Sequence, residues 1–350
     1  MKKFVIIMVS ITAVCLITAV VLTAVNQGSN VWDRSRGDWE TVLEGTGGEV
    51  DQTETASLTG VGTVSVRSSS DNIQVHLGDE GEVRVHFHGT IRSSRRNISI
   101  PTLRMEETGN GVSFWLEHPR VVGAFFYNRN TVLDVYLPAS YGGDLDLEAS
   151  SGNIEVTGYS LRELKCEASS GTVVIRDMEA NTVSANTSSG NIKVEGITGE
   201  AFTARATSGS IIGGDVDADK INLDTSSGDT RLSGVAGDIE ANASSGRIGI
   251  EAVSGSGRVD AEASSGDIVM SFDAMGPDLR FCTSSGSVKL SLPSGAAFGI
   301  NFGTSSGSFH SDFPVTMTKT ERNSVEGYVE SDTNSVRVQT SSGDCRINKN

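Results

Sequence analysis

The stretch Val183–Gly196 reads VSANTSSGNIKVEG and contains the repeating unit that decides the fold. Its Ser-Ser-Gly triplet recurs along the 350-residue chain, with gaps of 19, 19, 19, 19, 18, 20, 20, 21 and 36 residues between successive glycines. These triplet glycines are Gly152, Gly171, Gly190, Gly209 (within Thr-Ser-Gly), Gly228, Gly246, Gly266, Gly286, Gly307 and Gly343. A fixed period of this length is typical of a solenoid built from stacked coils.

Small or apolar residues alternate with polar ones on both sides of each triplet. In the quoted stretch, Val183, Ala185 and Thr187 precede the triplet, and Ile192 and Val194 follow it. Three residues before the glycine, every unit holds Ala or Thr. A period of two predicts strands. The change of parity at the triplet predicts a corner, where glycine tolerates the backbone angles of a sharp turn. A second, looser corner is expected further along each unit, where more glycines cluster.

The sequence therefore predicts an all-β fold, a parallel two-sheet β-solenoid similar to a β-helix, with coils of about 19–21 residues. Each coil is expected to hold two short strands. Residues 59–140 carry longer strands without the triplet and are predicted to form an N-terminal β-strand cap. The solenoid is assigned to residues 141–350, with an insertion near 310–330 that is expected to fold as a hairpin over the other end.

An uncharged run from Phe4 to Val25 follows Lys2 and Lys3. As a helix it spans about 33 Å, enough for a bilayer core. We therefore expect an uncleaved transmembrane helix at residues 4–25 rather than a cleaved signal peptide, although the second alternative stays open. Residues 1–3 form the cytoplasmic tip, and 26–58 read as a tether. The lysines predict a single-pass protein of the cell membrane with its C-terminal domain outside the cytoplasm.

The net charge of −16 argues against nucleic acid as a partner. Cys166 and Cys345 occupy inward positions of their coils and are expected to be small core residues. Cys166 and Cys282 are six coils apart, too far for a disulfide, so no disulfide framework is predicted. The oligomeric state stays open.

Several motifs resemble those of the bacterial β-strand repeat family labelled "putative adhesin". They are the strand Val135-Tyr-Leu-Pro138, the segment Asp312-Phe-Pro-Val315 and the closing Thr340-Ser-Ser-Gly-Asp344, together with the repeated coils. The resemblance covers about residues 60–350. It implies a cell-envelope protein, similar in some members to accessory proteins of envelope-stress response systems, and it implies no catalytic residues.

Two groups of side chains contain candidate metal ligands, and neither predicts a bound metal or cofactor. Asp215, Asp217 and Asp219 share an outward face and are weak candidates for calcium. The spacing of a calcium-binding loop is absent, so a solvated acidic face is favoured. His76, His86 and His88 are expected to be exposed, since no carboxylate or cysteine stands at a suitable spacing to complete a site.

The segment around Phe125, Phe126 and Tyr127 is the most hydrophobic outside the anchor. It is predicted to be a buried strand of the cap, with an exposed patch that docks a partner as the alternative.

These observations favour a binding or scaffold module of the cell envelope without catalysis. Its expected partners are the membrane, through residues 4–25, and an envelope protein or a glycan. The alternative is a carbohydrate-active enzyme on a β-helix scaffold, which needs charged residues aligned across neighbouring coils. A rod that polymerises end to end is a third reading, which the two expected caps disfavour.

Overall fold

The computed structural model describes residues 46–93, 100–118, 127–255 and 257–350. This part of the chain consists of strands and loops without a helix. In chain order the strands are β1 (Thr46–Ser57), β2 (Thr63–Ser68), β3 (Asn72–Leu77), β4 (Glu82–Ser93), β5 (Thr102–Thr108), β6 (Gly111–Glu117), β7 (Tyr127–Leu137), β8 (Asp144–Ala149), β9 (Ile154–Ala168), β10 (Val173–Thr187), β11 (Ile192–Ala206), β12 (Ile211–Thr225), β13 (Thr230–Ala243), β14 (Ile248–Ser254), β15 (Val259–Ala263), β16 (Ile268–Phe272), β17 (Asp278–Thr283), β18 (Val288–Leu292), β19 (Phe298–Thr304), β20 (Phe309–Ser311), β21 (Thr316–Glu321), β22 (Ser324–Val329), β23 (Ser335–Thr340) and β24 (Cys345–Lys349).

The chain divides into two compact units. The larger unit comprises Val50–Gly89, Pro101–His118 and Thr131–Asn350, and the smaller unit comprises Met1–Glu49, Thr90–Ile100 and Pro119–Asn130. The described strands lie in the larger unit, except for the first residues of β1 and β7 and the last residues of β4.

The repeated coils stack in parallel and in register, as the period predicted. β9 to β13 pair residue by residue, so that Val173 lies between Ile154 and Ile192. The side chains of all three residues are fully buried. The interior is therefore a narrow apolar stack to which every coil contributes, and the fold is all-β and solenoid-like.

The prediction of two short strands per coil needs a correction. In β9 to β13 a single strand of 14 or 15 residues runs through the second corner. Only from β14 onward does each coil divide into two shorter strands.

The described strands also join into one continuous sheet rather than two. The hydrogen-bond ladder passes around the corners, because the residues there keep bonding to the neighbouring coil.

The triplet glycine serves a purpose other than the one expected from the sequence. None of the ten has a left-handed backbone. A Cβ atom built on Gly190 would instead lie 1.8 Å from the carbonyl oxygen of Gly171, the triplet glycine of the preceding coil. The other nine meet a neighbouring corner carbonyl at 1.6–2.1 Å. Glycine is required because stacked corners leave no room for a side chain.

The left-handed backbone occurs at the second corner, six residues after the triplet glycine. The residues there have φ values of 49–78°, and they are Gly158, Asp177, Gly196, Asp215, Gly234 and Ala252. Aspartate visits this conformation more readily than most residues other than glycine. The strand bends at these positions, and the pairing of β10 with β11 leaves out Asp177 and Gly196 there, as it also leaves out Asn181 and Glu200 further along.

The last coil does not lie at the end of the stack. β23 pairs in parallel with β17 on one side and with β19 on the other, and β24 lies likewise between β18 and β20. The chain order of the coils is therefore not their spatial order. The insertion forms the antiparallel pair β21 and β22, and β22 pairs with β19.

The first coil is also inserted. β2 lies between β6 and β8, and β3 pairs with β7 and β9. Asp71 takes the corner position, with its carbonyl oxygen facing Gly152. Its buried carboxylate accepts hydrogen bonds from the hydroxyls of Ser68, at 3.1 Å, and of Thr131.

Only part of the predictions for the N-terminal residues falls on residues that the structure describes. The expected transmembrane helix at residues 4–25 lies outside them, and no helix of the described part is long and apolar enough to cross a membrane. The tether prediction is wrong for its last residues, because Thr46–Ser57 form β1, which pairs with β4. Few apolar residues mark this strand in the sequence, although Val50 and Ala56 are buried.

Stability is expected to fall at alkaline pH, because burial keeps several weak acids protonated. Burial raises the pKa of the Cys345 thiol to about 12 and also raises that of Cys166. Burial, helped by the charge of Asp144, raises the pKa of Tyr141 to about 12. The unfolded chain releases these protons from about pH 8.5 for thiols and about pH 10 for phenols. Above these values it binds fewer protons than the folded chain, so the free energy of unfolding decreases as pH rises toward 12.

Urea unfolding of the full chain at neutral and alkaline pH measures this decrease. The Cys166→Ala, Cys345→Ala double variant should lose less stability over the same range. An equal loss in the variant would show that the thiols are not the cause.

Candidate binding groove

A long groove follows the outside of the Ser-Ser-Gly corners. Its main part encloses about 730 Å³ and crosses six coils. The lining repeats three positions in each coil, namely the residues four, three and two places before the triplet glycine: Arg205, Ala206, Thr207, Asp224, Thr225, Ser226, Asn242, Ala243, Ser244, Glu262, Ala263, Ser264, Cys282, Thr283, Ser284, Gln339, Thr340 and Ser341. A second cavity of about 320 Å³ is lined by the same positions in the earlier coils, from Glu148 onward. Arg205 and Thr207 line both cavities. We call the two together the corner groove.

The floor of the corner groove is the position that holds only Ala or Thr. Ala206, Thr225 and Ala243 are all buried, so their side chains do not project outward into the groove. Threonine also secures the corner at this position. The Thr283 hydroxyl accepts a hydrogen bond from the Gly286 amide at 3.0 Å and donates one to the Gly266 carbonyl at 3.1 Å.

One wall of the corner groove is a row of hydroxyl groups. The exposed residues two places before the glycine are Ser or Thr in every coil, and Ser226 and Ser244 are examples. Their backbones continue the ladder between coils, as in the bond from the Ser244 amide to the Thr225 carbonyl at 3.1 Å. Neighbouring hydroxyls therefore repeat at about the strand spacing of 4.8 Å.

The opposite wall carries charged and amide side chains, and its carboxylates are paired with cations. Asp224 accepts from Arg205 at 3.0 Å and from the Asn242 amide at 3.0 Å. Glu262 pairs with Arg280 at 2.7 Å. Toward the first coils, Glu148 pairs with Arg67 at 3.3 Å and Glu167 with Lys165 at 3.0 Å. Exposed pairs of this kind contribute little stability, but they leave the groove nearly neutral although the chain carries a net charge of −16.

Asp215, Asp217 and Asp219 are exposed and alternate with buried Val216 and Ala218. Asp215 occupies the left-handed second corner, which explains its presence without a ligand. Among the described residues, these three carboxylates are not part of any group whose ligand atoms lie close enough to hold one metal ion.

The histidines come together with a carboxylate that the sequence reasoning did not find. Asp134 on β7 bonds His76 Nε2 through Oδ1 at 3.1 Å and His88 Nε2 through Oδ2 at 2.7 Å. His86 stacks on His88, with ring centroids 4.4 Å apart, and its Nε2 lies 2.8 Å from Asp51 Oδ1. We call these five residues the histidine cluster. The expectation that no carboxylate accompanies the histidines is therefore wrong, because strand pairing supplies one from a distant part of the sequence.

The structure describes the predicted corner glycines but not the predicted aromatic patch. The triplet glycines lie directly behind the corner groove, where their lack of a side chain lets the coils stack. Phe125, Phe126 and the side chain of Tyr127 lie outside the described residues, so the partner patch stays a prediction. The sequence analysis did not predict the corner groove. The signal for it was present in each repeat, as a position restricted to Ala or Thr followed by an exposed Ser or Thr.

Comparison with known proteins places the chain in a family. A family model described as Toastrack DUF4097 matches residues 61–348. No curated protein matches the sequence.

Three solved structures are similar to the chain. A "putative cell adhesion protein" from Clostridium sporogenes is 9% identical, covers 87% of this chain and 100% of its own, and has a TM-score of 0.25. A "putative adhesin" from Bacteroides fragilis is 12% identical over 69% of this chain and 97% of its own, with a TM-score of 0.41. A "putative adhesin" from Parabacteroides distasonis is 10% identical over 66% and 97%, with a TM-score of 0.30. Since the family model spans well over half of the sequence, this protein belongs to the Toastrack DUF4097 family.

Proposed function

We propose that this protein is a binding module of the cell envelope whose corner groove holds an extended, uncharged polar polymer, with a glycan as the favoured ligand. The observation that carries the proposal is the groove itself, which is lined by the same positions before the triplet glycine in successive coils of the stack, from Glu148 to Gln339. A ligand that repeats along its length can make the same contacts at each coil. The hydroxyl row repeats at about 4.8 Å, a spacing comparable to the length of one sugar unit.

The chemistry of the walls supports a neutral ligand. The groove carboxylates of Glu148, Glu167, Asp224 and Glu262 each have a cationic partner, so a charged ligand would have to displace an existing pair. Hydroxyl and amide groups remain to donate and accept hydrogen bonds, which suits sugar hydroxyls. Anchoring through residues 4–25 is part of the proposal, and it would hold the groove next to the envelope as an adhesin or as an accessory protein of envelope-stress response.

Filling the groove should weaken binding without affecting the fold. Ser226 and Ser244 are exposed on one wall, and their backbone bonds do not involve the side chains. We expect the Ser226→Tyr, Ser244→Tyr double variant of the full-length protein to bind cell-wall polysaccharide at least about tenfold more weakly, a loss of roughly 1.4 kcal/mol. Sedimentation with insoluble polysaccharide and titration with soluble fragments measure the change.

The matched control is Ile212→Tyr, which adds a bulky ring at an exposed position on a strand after the triplet, away from the groove. Its binding and melting temperature should equal those of the unchanged protein. Equal losses in both variants, or no polysaccharide binding by the unchanged protein, would contradict the proposed ligand. In the second case, crosslinking in cells tests an envelope protein as the partner.

A second candidate, cleavage of a glycan, rests on one pair of side chains. Glu148 and Glu167 are direct partners in the pairing of β8 with β9, and both residues line the groove. Glycosidases use two carboxyl groups across the scissile bond. Release of new reducing ends from a bound polysaccharide, lost in the Glu148→Gln and Glu167→Gln variants, would establish this function in place of binding alone.

A further inference from the structure

The inner part of the histidine cluster has the composition of a metal site. The ligand atoms of His86, His88 and Asp134 all lie within 4.8 Å of one another. Among the described residues, they are the single group of three or more histidine, cysteine or acidic side chains that meets this condition. Two imidazoles and one carboxylate form a ligand set used by zinc and by other divalent transition metals, and three protein ligands leave a coordination position open.

Regular strands hold these three side chains in place. His86 and His88 are two residues apart on β4, so they point to the same face of the sheet. Asp134 lies on β7, which pairs with β4, and its strand neighbours Leu133 and Val135 are fully buried. A site built on paired strands keeps its geometry better than one built on loops.

The outer part of the cluster orients the inner ligands. His76 bonds the Asp134 oxygen that His88 does not use, and Asp51 bonds the ring of His86. Metal sites commonly have such hydrogen-bond partners around the ligands, and losing one typically costs about 10–100-fold in metal affinity. The cluster thus contains three candidate ligands and two supporting groups.

Access and charge are compatible with an ion. The Asp134 side chain is 13% exposed, whereas those of His86 and His88 are 25% and 39% exposed, so the imidazoles can be reached from solvent. Arg84, two residues before His86 on β4, stacks over the Tyr136 ring at 4.0 Å. Two carboxylates, Asp134 and Asp51, outweigh its positive charge.

We infer that His86, His88 and Asp134 bind one divalent transition-metal ion, for which zinc is the representative probe, and that the ion joins β4 to β7. This site is separate from the corner groove and does not depend on what the groove binds. The open position would be taken by water or by an oxygen or nitrogen donor from another molecule.

Titration calorimetry with zinc on the full-length, tag-free protein after removal of metals with a chelator tests the inference. One ion per chain is expected. His88→Gln and Asp134→Asn should each weaken binding by at least about 100-fold, and His76→Gln, which changes a supporting group, by about tenfold. His310→Gln alters a histidine outside the cluster and should leave the affinity unchanged.

Cobalt provides a second measurement, because its visible absorption reports the coordination number and should change in His86→Gln. Thermal unfolding in the presence of chelator verifies that each variant folds. If one of the three ligand variants does not fold, the zinc affinities of the other two test the inference. The inference is wrong if the unchanged protein takes up no zinc at millimolar concentration. It is equally wrong if the His86→Gln, His88→Gln double variant binds zinc as tightly as the unchanged chain.

Discussion

Changing Gly246 to alanine is expected to destabilise the protein by more than about 3 kcal/mol, or to prevent folding altogether. The added Cβ atom would lie 1.7 Å from the carbonyl oxygen of Gly228 and 2.6 Å from its carbonyl carbon. Neither corner can move aside easily, because the Ser245 amide bonds the Ser226 carbonyl at 2.8 Å immediately beside the contact. Urea unfolding followed by circular dichroism measures the loss.

Gly249→Ala is the matched control in the same coil. Its added Cβ atom would come no closer than 3.6 Å to another atom, which is an ordinary contact, and its backbone is not left-handed. We expect a change within about 0.5 kcal/mol, with a small gain from reduced freedom of the unfolded chain. If both substitutions cost the same, close stacking of the corners is not the reason for the repeated glycine.

Replacing Gln339 by cysteine is expected to create a disulfide with Cys282 and to stabilise the protein by about 2–4 kcal/mol. The two residues are direct partners in the pairing of β17 with β23. Neighbouring parallel strands are about 4.8 Å apart, within the range that a disulfide spans. Mild oxidation followed by thiol counting detects the bond, and the melting temperature with and without reductant measures its effect.

Gly303→Cys shows whether the last coil is truly inserted. In a stack that followed chain order, residue 303 would lie beside Cys282. The structure places Gln339 between them, since it pairs with both. Two coil spacings amount to about 9.6 Å, beyond the reach of a disulfide. A bond from Cys282 to residue 303, or none to residue 339, would contradict the inserted coil.

Much of the fold could be read from the sequence because each coil repeats one local pattern. The buried residues Val183, Ile192 and Val194 are those that alternation predicted. The reason for the triplet glycine could not be read, because a close approach between coils depends on their distance apart, whereas backbone angles are local. The left-handed positions could not be recognised either, because some of them hold aspartate or alanine instead of glycine, as at Asp215 and Ala252.

The order of the coils was beyond sequence reasoning for a related reason. All coils present similar apolar residues and the same glycine corner, so any coil fits against any other. β23 therefore fits between β17 and β19 as well as it would at the end of the stack. The choice is made by the insertion, whose strand β22 covers the edge of β19.

The two candidate sites differ in how far the sequence reveals them. The corner groove follows from the repeat, since residues at the same positions before the triplet glycine line it in one stacked coil after another. The histidine cluster depends on β7 pairing with both β3 and β4, which brings Asp134 between strands that are far from it in sequence. No local pattern reports that pairing. Clusters of this kind are found only once the strand neighbours are known.

The inserted last coil makes the neighbours of β17 and β19 depend on residues that come later in the chain. β17 and β19 can reach their observed arrangement on either side of β23 only after residues 335–340 have been synthesised. A chain that stops earlier retains two unpaired strand edges, and exposed edges invite aggregation. A chain that lacks residues 335–349 is therefore expected to aggregate more readily than the full chain.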